Sequence, residues 1–201
     1  MSVTDLLLPS EISNGQDLWV FGYGSLMWRP GFEYAEQRAA TLHGYHRSFC
    51  IYSHHHRGTQ ENPGLVLGLD EGGTCRGCAF RVRASDAATV TAYLNERELI
   101  GYAYVPRVLD VSLECDDGSE VLVPTYTFVA DQTHDHYAGN LSIADSAPLI
   151  MVAEGIAGLN RDYLINTVRH LEQTGATEPE LHALLREVEA RTGVIDIGGG
   201  I

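Results

Sequence analysis

Along the first two thirds of the chain the apolar residues run together or alternate with polar ones. Toward the end they recur every three to four positions, an order that predicts strands first and helices last. The run Leu18-Trp-Val-Phe21 reads as a buried strand from its β-branched and aromatic content, and it breaks at Gly22-Tyr23-Gly24-Ser25 into a tight turn whose glycines allow positive φ and close approach of a ligand to the main chain. Arg38 to Ser53 is predicted as a long strand. Leu65 to Leu69 is predicted as a short one ending in the turn-rich Asp70-Glu-Gly-Gly73, after which Cys75 to Val82 continues the sheet. Ser85 is the expected N-cap of a helix whose Ala87, Val90, Tyr93 and Leu94 share an apolar face and which carries Asn95-Glu-Arg-Glu98 near its end. Leu109, Val111 and Leu113 alternate with polar residues, Asp117-Gly118 supplies a hairpin turn, and Val121 to Val129 returns as the second strand. From Ser142 the period is helical. Ser146 is expected to cap a helix running to Gly158, Asn160 one running to Gly175, and Thr177 with Glu180 to box a third that carries Leu181, Leu184, Leu185 and Val188. Strands followed by helices define an α+β chain.

Composition narrows the class of function. A chain of 201 residues with 44% hydrophobic content fits one domain with a sizeable core, and we set its bounds at 16–192, with 1–15 an N-terminal extension and 193–201, ending Gly198-Gly-Gly-Ile201, a disordered tail. The formal net charge of −14 argues against nucleic acid and anionic membrane as partners, because no cluster of cations is present to neutralise phosphates. The acidic balance also suits a monomer. No apolar run reaches the length of a membrane span, and Met1 to Asn14 lacks the basic start and clean apolar core of an export signal, so the expected location is the cytoplasm. Cys50, Cys75, Cys78 and Cys115 are too few to staple a chain this long and read as reduced thiols.

The candidate chemistry starts at the glycine turn, where successive N–H groups from Tyr23, Gly24, Ser25 and Leu26 can converge on a carboxylate, a phosphate or a developing oxyanion. Glu98 stands just before Leu99-Ile-Gly-Tyr102, at the end of the amphipathic helix. Apolar neighbours there would raise its pKa and make it a base near neutral pH, although an arbitrary helix Glu is usually solvated. His54, His55 and His56 do not complete a metal shell, since consecutive strand residues point to opposite faces and no second ligand pair follows. Cys75-Arg-Gly-Cys78 lacks the second pair of a zinc ribbon and the following helix of a redox motif. A dinucleotide fingerprint would need a third glycine where Met27 stands.

Phe21-Gly-Tyr-Gly-Ser-Leu-Met-Trp28, Gly44-Tyr-His-Arg-Ser-Phe49, His56-Arg-Gly-Thr59, Tyr93-Leu-Asn-Glu-Arg-Glu98 followed by Gly101-Tyr102, Tyr137-Ala-Gly139 and Gly158-Leu-Asn-Arg-Asp-Tyr-Leu164 occur in an order that resembles the ChaC-type γ-glutamylcyclotransferases over about residues 16 to 190. The Tyr-Gly-Ser-Leu turn is shared with wider relatives, whereas the Arg-Glu before Gly-Tyr and the His-Arg-Gly segment are closer to the glutathione-degrading branch.

The resemblance implies a small mixed β-barrel flanked by helices, with a helical C-terminal segment. It also implies cleavage of glutathione into 5-oxoproline and cysteinylglycine by intramolecular aminolysis, with no cofactor and no metal. Glu98 aligns with the family's general base, which takes a proton from the substrate α-amine and returns it to the leaving amine. The backbone of Tyr23, Gly24, Ser25 and Leu26 would hold the γ-carbonyl oxygen or the α-carboxylate. Tyr137 stands where the family has Tyr-Leu-Gly, and its hydroxyl is expected to help fix the substrate, with Ala138 in place of Leu and no following Pro. Arg47 or Arg57 would pair with the glycine carboxylate, and Arg57 is preferred. Other γ-glutamyl amines or amino acids remain alternative substrates, and a non-catalytic regulatory protein linked to cation transport is the alternative of a different class.

Overall fold

The computed structural model describes residues 15–99, 101, 103–115 and 117–192. The expected tail and all but Gly15 of the expected extension lie outside them. Five strands, β1 (Leu18–Gly22), β2 (Glu36–Ser53), β3 (Gly64–Val82), β4 (Tyr104–Glu114) and β5 (Glu120–Ala130), close into a barrel in the order β1-β3-β2-β4-β5. Helix α1 (Ala87–Glu98) lies between β3 and β4 in sequence. After β5 come α2 (Ile143–Val152), a two-residue hairpin β6 (Glu154–Gly155) and β7 (Gly158–Leu159), α3 (Asn160–Gln173) and α4 (Pro179–Thr192). The chain is α+β, as its patterning predicts. Contacts divide the described residues into two compact units, one within 15–47 and 68–137, the other within 48–67 and 138–192.

In the first unit β1 pairs antiparallel with β3 from Leu18↔Val82 to Gly22↔Cys78, and β4 pairs antiparallel with β5 from Tyr104↔Ala130 to Glu114↔Glu120. Parallel pairing of β1 with β5, at Trp19↔Thr125 and Val20↔Tyr126, closes the ring. Thr127 Oγ1 donates to the Phe21 carbonyl at 3.1 Å beside this seam. Leu18 and Val20 of β1 and Tyr126 and Phe128 of β5 form one buried cluster with Leu26, Val82 and the Ala87, Val90 and Leu94 face of α1. Full burial of each large side chain here stabilises the fold by about 1.5–3 kcal/mol. Tyr126, 1% exposed, donates its hydroxyl to Asn95 Oδ1 at 2.5 Å, and burial pushes the phenol up to about 12.

The predicted break at Asp70-Glu-Gly-Gly73 is not a turn: β3 runs through it, with Gly72 and Gly73 at φ +94° and +73° taken up inside the strand. The hairpin at Asp117-Gly118 forms as expected, Asp117 Oδ1 accepting from the Ser119 amide at 3.0 Å with Gly118 at φ +79°. Helix α1 is capped by Asp86 rather than Ser85, without a side-chain cap bond.

In the second unit the N-cap of α2 is Ser142, whose Oγ accepts from the Asp145 amide at 3.2 Å; Ser146, the expected cap, is buried inside the helix. Asn160 opens α3 as its first residue, but its side chain serves another purpose. Its Nδ2 donates to the Leu65 carbonyl and its Oδ1 accepts from the Leu65 amide, both at 2.7 Å, in place of a neighbouring strand. Gly175, at φ +72°, ends α3, with Ala176 N–H returning to the Leu171 carbonyl. Leu181, Leu184 and Val188 form the buried stripe of α4. Cys50, Cys75, Cys78 and Cys115 form no disulfide. Among the described residues no helix is long and apolar enough to cross a membrane, and no cluster of His, Cys, Asp or Glu could hold a metal ion.

Candidate active site

The turn after β1 is a single 3-10 turn, Ser25–Met27, closed by the Met27 amide on the Gly24 carbonyl at 2.9 Å and the Arg29 amide on Ser25 at 2.8 Å. Tyr23, Leu26 and Met27 turn their side chains inward, at 8%, 6% and 8% exposure, so Ser25 is the part-exposed residue of Tyr23–Leu26. Neither Gly22 nor Gly24 takes up the positive φ open to it. Gly24 sits at φ −134°, and Gly22 lies where a Cβ would press on Leu26 Cβ at 3.0 Å.

Arg47 supports this turn from below. It is 3% exposed, its Nε donates to the Tyr23 carbonyl, and one terminal nitrogen donates to the Arg76 carbonyl at 2.6 Å. A guanidinium spent on backbone carbonyls is a structural cation, which removes Arg47 as the candidate for a substrate carboxylate.

Glu98 is the last residue of α1, and its Leu99 neighbour packs on the barrel core while closing the helix through its amide on the Asn95 carbonyl at 3.0 Å. The side chain keeps 22% of its exposure, yet desolvation of the carboxylate raises its pKa, and the ion pair from Arg97 Nε to Glu98 Oε1 at 3.1 Å opposes the rise without cancelling it. A carboxylate of this kind is a stronger base than a solvated one. Arg97 also donates to Ser25 Oγ at 2.9 Å, so Glu98 and the glycine turn are held by one guanidinium.

Tyr137 donates its hydroxyl to Asp70 Oδ2 at 2.7 Å, and Asp70, 5% exposed, also accepts from Gln132 Nε2 at 2.7 Å and the Glu71 amide at 3.0 Å. With its proton given to Asp70, the Tyr137 oxygen makes any further contact as an acceptor. Arg57 belongs to the second unit, where it donates to the Leu159 carbonyl at 3.2 Å and lies 5.2 Å from the centre of the Tyr163 ring. Burial pulls its pKa down, which marks a desolvated cation.

Arg97 and Asp70 escaped the sequence reading. Arg97 was visible only as the neighbour of Glu98, and Asp70 as a turn residue; neither spacing betrays a partner about seventy positions away.

The model of the family described as "ChaC-like protein" matches residues 18–191. A glutathione-specific γ-glutamylcyclotransferase of Escherichia coli (strain K12) is 37% identical over 172 residues, covering 86% of this chain and 73% of that one. One of Schizosaccharomyces pombe, bearing the same name, is 32% identical over 191 residues, covering 87% and 92%. The crystal structure of a γ-glutamyl cyclotransferase specific to glutathione from yeast, 25% identical, matches with a TM-score of 0.76 over 88% of this chain and 99% of that chain. The barrel, the glycine turn and the helix ending in Arg97-Glu98 are therefore those of a member of the ChaC-like family, to which this chain belongs.

Proposed function

We propose that the protein is a γ-glutamylcyclotransferase that cleaves glutathione to 5-oxoproline and cysteinylglycine, with Glu98 as its general base. The observation that carries the reading is the desolvated carboxylate of Glu98, joined through Arg97 to Ser25 of the glycine turn. The α-amine of the γ-glutamyl group attacks its own γ-carbonyl carbon. One C–N bond forms to close the five-membered ring and the peptide C–N bond to cysteine breaks; the α-ammonium gives up two protons in becoming the lactam N–H, one to Glu98 before attack and one as the ring closes, and the cysteine nitrogen takes up two, the first returned by Glu98, so that cysteinylglycine leaves as its ammonium form. No water is consumed, because nucleophile and leaving group belong to the same molecule.

The backbone N–H groups of Tyr23, Gly24, Ser25 and Leu26 bind the γ-carbonyl oxygen as it gains charge, or the α-carboxylate; a single donor of this kind is worth about 3 kcal/mol in the transition state. Tyr137, its proton held by Asp70, accepts from a donor group of the substrate. Arg57 takes a carboxylate, for which a desolvated guanidinium is suited. The same reading treats residues 16–192 as one working domain and the protein as a cytoplasmic monomer acting on a free small molecule, with neither nucleic acid nor membrane as partner. The net charge of −14 supports the last point.

The test is release of 5-oxoproline from glutathione by wild type and by Glu98→Gln, each checked by thermal melt. Wild type is expected to turn over and the folded variant to lose about 10²–10⁴ in kcat. A wild type that releases no 5-oxoproline from glutathione overturns the substrate assignment, and an active E98Q overturns the base.

A further inference from the structure

Arg97 lies in the last turn of α1, where a cation commonly stays to satisfy the helix carbonyls. Instead its side chain leaves the helix. One terminal nitrogen donates to the Arg29 carbonyl at 2.8 Å, the Pro30 carbonyl at 3.1 Å and the Tyr93 hydroxyl at 3.1 Å; the other donates to Ser25 Oγ at 2.9 Å, while Nε faces Glu98 Oε1 at 3.1 Å. The loop it grips is already pressed on α1, since a Cβ on Gly31 would stand 2.1 Å from the Tyr93 hydroxyl oxygen and Gly31 adopts φ +76°. The three acceptors around the first terminal nitrogen share its two hydrogens, and the guanidinium still spreads five N–H donors over one plane where an ammonium has three.

We infer that Arg97 is a positioning residue for the reaction proposed above, fixing the end of α1 that carries Glu98 against the Ser25–Pro30 segment and committing Ser25 Oγ to accept from it, so that the Ser25 hydroxyl proton is donated to the substrate. A hydroxyl has one proton and two acceptor sites, and guanidinium accepts nothing, so the proton of Ser25 cannot point back at Arg97. A cation on its lone pair also polarises the O–H bond and strengthens it as a donor. The group it suits is an oxygen that carries or gains negative charge, such as a carboxylate or the γ-carbonyl oxygen during ring closure. Arg97 itself does not touch the substrate; it acts through Ser25 and Glu98.

This inference rests on the proposed function, and a double-mutant cycle separates the two. With glutathione as substrate, Arg97→Lys and Ser25→Ala are each expected to lower kcat about 100-fold with KM within about threefold, as for misplaced or lost transition-state donors. The pair together is expected to be little worse than the poorer single variant. A kcat for R97K equal to wild type, or losses that multiply in the double variant, overturns the positioning role while leaving the cyclotransferase reading intact. A wild type inactive on glutathione overturns both. Should R97K unfold, Tyr93→Phe strips one partner from the same guanidinium and completes the same cycle with S25A: non-additive losses in kcat support the inference, and multiplied losses, or none, overturn it.

Discussion

Glu98 costs the folded state something at neutral pH, and the sign can be worked out. Desolvation raises its folded pKa above the ordinary carboxylate value, so between that value and the raised one the folded protein holds more protons than the unfolded chain. Stability contributed by the neutral acid is therefore present at low pH and is lost as pH rises through the window. Glu98→Gln, which cannot ionise, is expected to melt higher than wild type at pH 7.5 and alongside it at pH 4, a comparison that two thermal scans decide. Activity runs the other way across the window, because only the deprotonated base accepts the α-ammonium proton; the acid limb of kcat/KM should lie above the ordinary carboxylate range. Position 98 was legible in the sequence as a motif residue. Its desolvation was not, because it arises from burial of a helix end that the chain places only on folding.

At the scale of elements, Asn160 shows what patterning can and cannot reach. A polar residue before an amphipathic run reads as an N-cap, and a helix does begin there. Yet the side chain, 0% exposed, completes the hydrogen bonding of Leu65 across ninety-five positions. Asn160→Ala would leave a buried amide and a buried carbonyl without that partner, at about 1–3 kcal/mol each. A fall in Tm of roughly 5–15 °C is the expected reading, and a shift under about 2 °C would show that relaxation or water replaces both bonds. The same limit explains the other departures. Apolar runs, β-branched content and, in β4, alternation marked a segment of each barrel strand, but β3 was read as two pieces, because Asp70-Glu-Gly-Gly73 carries turn residues inside a strand and no local signal says that the ladder continues. The caps moved from Ser85 to Asp86 and from Ser146 to Ser142 because several Ser and Asp residues stand near each helix start and only the fold chooses between them. For the site, the turn and the base were visible as short contiguous motifs, while the partners Arg97–Ser25 and Asp70–Tyr137 join segments far apart in the chain.

The barrel as a whole is stitched unevenly. The β4–β5 ladder runs from Tyr104↔Ala130 to Glu114↔Glu120, whereas the parallel seam that closes the ring rests on Trp19↔Thr125 and Val20↔Tyr126 with the Thr127 side chain beside it. Hydrogen exchange should therefore free amides along the seam sooner than those in the middle of the β4–β5 ladder, and uniform protection through both would contradict that ranking. Opening there would leave β1 attached to β3 and β5 attached to β4, each with a bare edge. Bare edges pair with other chains. At neutral pH the net charge of −14 holds molecules apart, but near the sequence pI of about 4.9 that repulsion vanishes. Gentle warming close to that pH should then yield growing assemblies joined strand to strand before the β4–β5 ladder melts, making the two short ladders of the ring, β1 on β5 and β2 on β4 at Ala40↔Leu113 and Thr41↔Ser112, the points from which the protein is lost to aggregation.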